Sequence, residues 1–203
     1  MTPAVLASAN PGKLREFAAL LSPFALQLVP QGELGIRPAA ETGTTFLENA
    51  LIKARHAAHL AHLPALADDS GLEVEALGGR PGVWSARFAG EAASDEDNLR
   101  RLLAELHDVP DEFRQARYQC VIVFLRGGQD PVPLIARGSW QGSIAHNPRG
   151  QGGFGYDPVF IPAGEHRRAA ELPAADKNAV SHRGLALRAL VATLESGGYI
   201  HTP

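Results

Sequence analysis

Two adjacent carboxylates, Asp68 and Asp69, follow the short apolar run Ala65-Leu66-Ala67 and precede Ser70-Gly71. Side-by-side carboxylates repel one another unless a cation, a donor or a proton intervenes. Successive strand residues face opposite ways, so one of the pair need not enter the same site as the other. With Glu41 upstream, the pair offers the oxygen ligands that suit Mg²⁺, which takes one or two carboxylates together with phosphate oxygens and water. An Asp-Ser-Gly turn with capping carboxylates has the same composition.

Three further segments carry polar or aromatic chemistry. Ser8-Ala9-Asn10-Pro11-Gly12-Lys13 leaves the apolar run Ala4–Ala7 and enters a helical pattern. Such a loop presents unpaired backbone N–H groups at a positive helix end, a setting that favours phosphate. Ser8 and Asn10 add neutral partners and Lys13 adds charge. The Walker spacing G-x-x-x-x-G-K-[ST] is absent, and an ordinary strand-to-helix turn looks alike. In Gly152-Gly153-Phe154-Gly155-Tyr156-Asp157-Pro158, glycines flank an aromatic ring that either stacks on a base or turns into the core. Asp176-Lys177-Asn178 and Ser181-His182-Arg183 offer cations for phosphate and donors for a ring carbonyl, or a helix cap at Ser181 beside a solvated basic turn.

The chain has 19 basic residues, of which three are lysines, Lys13, Lys53 and Lys177. Two of these fall inside the segments above, where a compact ammonium can meet phosphate as a point charge. His56, His59 and His62 recur at spacings of three without a cysteine or an HExxH pattern, and read as a solvated helix face. Cys120 lies in an apolar run and reads as a buried thiol. Trp84 and Trp140 read as packing residues, and Glu73 and Glu75 as outward-facing.

The elements that must position these groups follow from periodicity. Ala4–Ala7 and Leu26–Pro30 read as strands, with a helix between them on Leu14, Phe17, Ala18 and Leu21. Gln31–Gly43 reads as a loop. Thr45 and Glu48 form a capping-box pattern for a helix that ends before Pro64. Ala65–Ala67 is a short strand, Asp68–Gly71 a break, and Leu72–Leu77 a second strand. Ser94 and Asp97 cap a helix through Leu99, Leu102, Leu103 and Leu106. Ala116–Leu125 and Val132–Ile144 are long strands joined at Arg126–Pro131, and Leu187, Leu190, Val191 and Leu194 mark a last helix. Helix and strand alternate in the first half and a hairpin dominates the second, which predicts an α/β fold on a mixed sheet.

At 203 residues, 45% hydrophobic and 20% charged, the composition is that of a globular chain. A net charge of −3 gives no whole-molecule attraction to nucleic acid. No apolar run reaches the ~20 residues that span a bilayer. Met1-Thr2-Pro3-Ala4-Val5-Leu6 lacks the basic and apolar regions of a secretory leader, so a cytoplasmic protein with no membrane partner is expected.

Taken together, the chain resembles the Ham1/RdgB family of inosine triphosphate pyrophosphatases. The resemblance rests on Ser-Ala-Asn-Pro-Gly-Lys at 8–13, Glu-Thr-Gly-Thr-Thr-Phe-Leu-Glu-Asn-Ala at 41–50 and Ala-Asp-Asp-Ser-Gly-Leu at 67–72. It continues through Leu-Gly-Gly-Arg-Pro-Gly-Val-Trp-Ser-Ala-Arg at 77–87, Gly-Gly-Phe-Gly-Tyr-Asp-Pro at 152–158 and Asp-Lys-Asn-Ala-Val-Ser-His-Arg at 176–183. Lys53 falls in a family-like Glu-Asn-Ala-x-x-Lys-Ala stretch. Asp176 stands where a glutamate is more usual.

The resemblance implies one catalytic domain over residues 1–203. It implies an elongated mixed sheet flanked by helices, two lobes with the active site in the cleft between them, and a homodimer. It implies a purine nucleoside triphosphate substrate, ITP, dITP or XTP, cleaved with Mg²⁺ to monophosphate and pyrophosphate. It assigns the triphosphate to Ser8, Ala9, Asn10, Pro11, Gly12 and Lys13, and the metal to Glu41 and Asp69, with Asp68 as a third carboxylate. Asp69 would activate water and Ser70 would touch phosphate or sugar. Phe154 would stack on the base, and Gly155, Tyr156, Asp157, Lys177, His182 and Arg183 would complete nucleotide recognition. Rival readings are a Maf-like pyrophosphatase with other nucleotide preferences, a nucleotide-binding module without turnover, and a nucleic-acid binder.

Overall fold

A computed structural model of the chain describes residues 3–22, 24 and 26–199. Met1 and Thr2, part of the N-terminal run read above for a leader, lie outside it. Six strands form one sheet in the order β2-β1-β3-β4-β5-β6. These are β1 (Ala4–Leu6), β2 (Leu28–Pro30), β3 (Ala65–Val74), β4 (Gln115–Leu125), β5 (Leu134–Ile144) and β6 (Phe160–Pro162). β1 runs parallel to both β2 and β3, while β5 and β6 are antiparallel, so the sheet is mixed. The helices are α1 (Pro11–Leu21), α2 (Phe46–Ala61), α3 (Asp95–Glu105), α4 (Ala174–Val180) and α5 (His182–Ser196). The α/β expectation stands.

The chain divides into two compact units. The first comprises the described residues of Met1–Asp69, Cys120–Gly138 and Arg183–Pro203, and the second comprises Ser70–Gln119 and Ser139–His182.

In the first unit, strand alternation builds two cores. Ala4, Leu6, Leu66, Cys120, Ile122 and Phe124 face one way and pack with Phe17 and Leu21 of α1 and Leu187, Leu190 and Leu194 of α5. Val5, Ala7, Ala65, Ala67, Val121, Val123 and Leu125 face the other way and pack on Ala50, Ala54, Ala57 and Ala58 of α2. The period-2 pattern of the strands thus decides which helix each side chain meets. The alanine face of α2 lets that helix approach the strands closely.

In the second unit, Leu72 and Val74 of β3 join Leu99, Leu102 and Leu106 and an aromatic group, Tyr118, Trp140, Tyr156 and Phe160. Arg114 is buried among them and donates to the carbonyls of Leu106 at 2.6 Å and Ile144 at 2.7 Å, with longer bonds to Val109 and Ala145. Burial lowers its pKa. The guanidinium is satisfied by backbone oxygens, which pins the end of β5 to the residues preceding β4.

Several local expectations change. β3 is one continuous strand through Asp68-Asp69-Ser70-Gly71, not a strand, a break and a second strand, and it gives way to a 3₁₀ turn at Glu75–Leu77. α1 begins at Pro11, not Leu14, with proline at its first position, where its missing N–H costs nothing. α4 and β6 were not anticipated. Trp84 is 54% exposed and lies under Arg87, 4.4 Å from the guanidinium carbon, whereas Trp140 is buried as expected.

Candidate active site

Both carboxylates of the pair lie on β3 and within the first unit, on opposite faces of the strand. Asp68 shares the side of Leu66, and so meets α1 and α5. Lys13 Nζ sits 2.9 Å from Asp68 Oδ2, and Arg183 Nη2 lies 3.2 Å from the same oxygen. Arg183 Nη1 also donates to Glu16. Lys13 and Glu16 are three apart on α1 and therefore present on one face. The result is a chain of charges, Lys13–Asp68–Arg183–Glu16, with the Asp68 side chain fully buried. Burial pushes the Asp68 carboxyl up, but Lys13, Arg183 and Lys53 together outweigh it and hold it well below the usual carboxylate range. Burial lowers the Arg183 pKa, but the charges of Asp68 and Glu16 outweigh it and raise it.

Asp69 shares the side of Ala65 and Ala67, and so meets α2. Lys53 Nζ lies 2.7 Å from Asp69 Oδ1 and 2.9 Å from Glu41 Oε1. Asn49 Nδ2 approaches Asp69 Oδ2 at 3.4 Å. Asn49 and Lys53 are four apart, one turn of α2, and both reach past its alanine face. Burial raises the Asp69 pKa, Lys53 and Lys13 oppose it, and Glu41 adds to it; the net shift is upward. Lys53 is itself raised, because the charges of Asp69, Asp68 and Glu41 overcome its desolvation. Glu41 is delivered by a loop that closes onto α2 at Gly43, whose N–H donates to Asn49 Oδ1 at 2.8 Å. A Cβ on Gly43 would lie 2.6 Å from Glu48 Cβ and 2.8 Å from Asn49 Oδ1, so only glycine fits there.

Glu41 and Asp69 thus already converge on one cation. Their donor set is all oxygen, and hard oxygen donors suit Mg²⁺. Among the described residues no group of three or more His, Cys, Asp or Glu side chains forms a metal cage. Two carboxylates fit an ion that completes its shell with water and phosphate oxygens. The residues therefore fit the group.

The first loop differs from its expectation. Asn10 Oδ1 caps α1 by accepting from Gly12 N at 2.8 Å and Lys13 N at 3.1 Å, and Ser8 Oγ accepts from Asn10 N at 3.3 Å. The N–H groups of Asn10, Gly12 and Lys13 are therefore already engaged. Lys13 is the charged contribution of this segment, and Asn10 fixes the start of the helix that carries it.

The second unit gathers another set. Lys177, on α4, forms a buried ion pair with Asp157, Nζ to Oδ2 at 2.6 Å. The same carboxylate oxygen accepts from Phe154 N at 3.0 Å, and Lys177 Nζ lies 5.0 Å from the centre of the Phe154 ring. Gly153 has φ +71°, and a Cβ there would fall 2.0 Å from Asp157 Oδ2, so glycine is needed for the loop to close on its own carboxylate. Gly155 N donates to Asp95 Oδ2 at 2.8 Å, which ties the loop to the first turn of α3. Tyr156 is buried, and its hydroxyl donates to the Ser85 carbonyl at 2.8 Å; its side chain anchors the loop. His182 opens α5 with its ring flat against Tyr118, centroids 4.6 Å apart and planes 8° apart. Ser70 is half-buried on β3.

The expected site residues therefore fall into two groups, one in each unit. The unit boundary passes between His182 and Arg183, which the sequence had treated as one motif. Glu16, Asn49, Asp95 and Tyr118 were missed, and Lys53 was noted only for its resemblance. The i, i+4 pairing of Asn49 with Lys53 beside an alanine stripe was the available signal for α2; Tyr118 carried none.

The chain is similar to known proteins in sequence and in fold. The sequence model of the Ham1 family matches residues 4–193. A dITP/XTP pyrophosphatase of Shigella flexneri is 56% identical over 197 residues, 97% of this chain and 100% of that protein. Its counterpart in Escherichia coli K12 is 55% identical over the same span. The solved structure of a HAM1 protein from Coxiella burnetii aligns with a TM-score of 0.89 at 48% identity, covering 97% of this chain and 100% of that one.

Proposed function

The chain belongs to the Ham1 family, and on that premise we propose that it hydrolyses the non-canonical purine triphosphates ITP, dITP and XTP to monophosphate and pyrophosphate with Mg²⁺ as cofactor. The observation that carries this reading is the sorting of Asp68 and Asp69 to opposite faces of one strand. One carboxylate is locked by two cations; the other has a raised pKa beside Glu41 and Lys53. Neighbouring carboxylates whose pKa values are driven apart are the signature of divided roles.

In this reading Lys13 meets the triphosphate, with Ser8, Asn10 and the Ala9-Pro11-Gly12 backbone shaping the loop. Asp68 and Arg183 hold Lys13 in place. Ser70 touches phosphate or sugar. Glu41 and Asp69 are the residues that would hold Mg²⁺, which when bound neutralises phosphate charge. Asp69 takes a proton from water as the oxygen bonds to the α-phosphorus; the bond from that phosphorus to the bridging oxygen breaks, and pyrophosphate leaves. Lys53 keeps Asp69 and Glu41 together between turnovers.

Base recognition falls to Phe154 by stacking and to Gly155, Tyr156, Asp157, Lys177 and His182. A donor from His182 matches the six-carbonyl of hypoxanthine or xanthine, and faces a mismatched amino group in adenine. Residues 1–203 act as one pyrophosphatase domain, a homodimer that clears deaminated purines from the cytoplasmic nucleotide pool. The Shigella flexneri protein matches 97% of the chain over its own full length, which supports one function for the whole chain. No described helix is long and apolar enough to cross a membrane.

The test is a panel of initial rates on ITP, dITP, XTP, GTP, ATP and dTTP, with and without Mg²⁺, scoring pyrophosphate apart from phosphate. Mg²⁺-dependent pyrophosphate release from the first three is expected. Release of phosphate, or preference for a pyrimidine, would return the choice to a Maf-like enzyme; binding without turnover would leave a nucleotide-binding module.

A further inference from the structure

We infer that Tyr118 is a positioning residue for base discrimination, fixing the plane of His182 and the carboxylate of Asp157 at once. This rests on the proposal that His182 and Asp157 serve base recognition.

Tyr118 lies on β4, 8% exposed, in the aromatic group of the second unit. Its ring is stacked face to face with His182, 4.6 Å between centroids and 8° between planes. Imidazole donates and accepts in its own ring plane, so whatever fixes the plane fixes the direction in which the donor points. Tyr118 is in turn held edge-on by Phe160 at 4.7 Å, and Trp140 continues the stack, 6.5 Å from His182 with planes 20° apart. The imidazole thus lies on a rigid aromatic platform.

The other end of the same side chain reaches the loop. The Tyr118 hydroxyl hydrogen-bonds to Asp157, and burial followed by the Asp157 charge raises its pKa well above the ordinary value, so it stays a donor. Asp157 also receives Lys177 Nζ and Phe154 N. One side chain therefore links the ring proposed to read the six-position with the carboxylate that organises the stacking loop. A donor displaced or tilted by a fraction of an ångström no longer separates carbonyl from amino, because discrimination of this kind depends on matched geometry.

The two functions can be separated by substitution. Tyr118→Phe keeps the stack and removes the hydroxyl; KM for ITP is expected to rise about fivefold, the scale of one hydrogen bond to a charged group partly replaced by its neighbours, with kcat and the ITP:ATP ratio of kcat/KM within about twofold. Tyr118→Leu removes the platform, and the ITP:ATP ratio is expected to fall about tenfold or more. His182→Ala is the control. If it lowers the ratio and Tyr118→Leu, shown folded by circular dichroism, does not, the role of Tyr118 is overturned. If His182→Ala leaves the ratio intact, base reading by His182 fails instead. The double variant is expected to lose no more discrimination than His182→Ala alone, since both act through one donor. Should Tyr118→Leu not fold, Tyr118→Phe decides alone: an unchanged KM would overturn the link to Asp157.

Discussion

Asp68 and Asp69 are neighbours in sequence and share a strand, yet they occupy opposite electrostatic worlds. Asp68 faces α1 and α5 and is closed in by Lys13 and Arg183, with no exposed side-chain surface. Asp69 faces α2 and shares one ammonium with Glu41. The first carboxyl is pulled far down, the second is left raised. The difference teaches that the two-residue period of a strand can divide labour without any separation in sequence. One carboxylate holds two cations; the other shares a single ammonium with a second carboxylate.

The largest test of that division is Asp69→Asn. A positioned general base contributes roughly 10²–10⁴ in rate, so kcat for pyrophosphate release is expected to fall by about that factor. Stability should change little. Because the folded-state pKa of Asp69 is raised above its unfolded value, ionised Asp69 opposes folding once the pH exceeds both values. The substitution also removes a partner of Lys53, which Glu41 still holds, so at neutral pH the asparagine variant should melt close to the wild-type temperature.

Asp68→Asn should do the opposite. Removing one member of a buried pair strands its partners, here Lys13 and Arg183, and typically costs about 3–5 kcal/mol. Urea unfolding at pH 7 would measure it. The sign with pH follows from the depressed carboxyl: its contribution is fully present above the unfolded value of about 3.9 and is lost as pH falls through the lower folded value. The gap between wild type and Asp68→Asn should therefore persist through pH 5 and narrow only in strong acid. A gap that closed by pH 5 would show that Asp68 is not held low.

Lys13→Ala sharpens the same contrast from the cation side. Steady-state kinetics should show KM for ITP raised about tenfold, the scale of one charge-assisted contact. An unchanged KM would reduce Lys13 to a partner of Asp68. The smallest effect is expected at Asn10→Ala. Loss of the α1 cap should lower stability by about 1 kcal/mol, visible as a shift of the denaturation midpoint.

Much of this was readable from residue types and spacing. The capping box at Thr45 and Glu48 and the apolar periods of α1, α2 and α5 give the elements, and strand alternation allowed Asp68 and Asp69 to part. What the sequence hid has physical causes. Ser70-Gly71 has turn chemistry, but the backbone stays extended there within β3. α4 has seven residues behind Pro173, too few for a period, so Lys177 read as a loop residue. β6 has three. Arg183 sits beside His182 in sequence, yet its guanidinium goes to Asp68 and Glu16, partners more than a hundred positions away that no local pattern announces. Tyr118 looked like any core aromatic on a long strand.

The most direct measurement of the central claim is kcat for Mg²⁺-dependent pyrophosphate release from ITP by Asp69→Asn, with thermal unfolding recorded on the same preparation. Loss of turnover by about two orders of magnitude or more, in a protein that melts close to the wild-type temperature, is the expected result. A folded variant that turns over ITP at the wild-type rate would contradict the claim and leave Asp69 a ligand for Lys53 and nothing more.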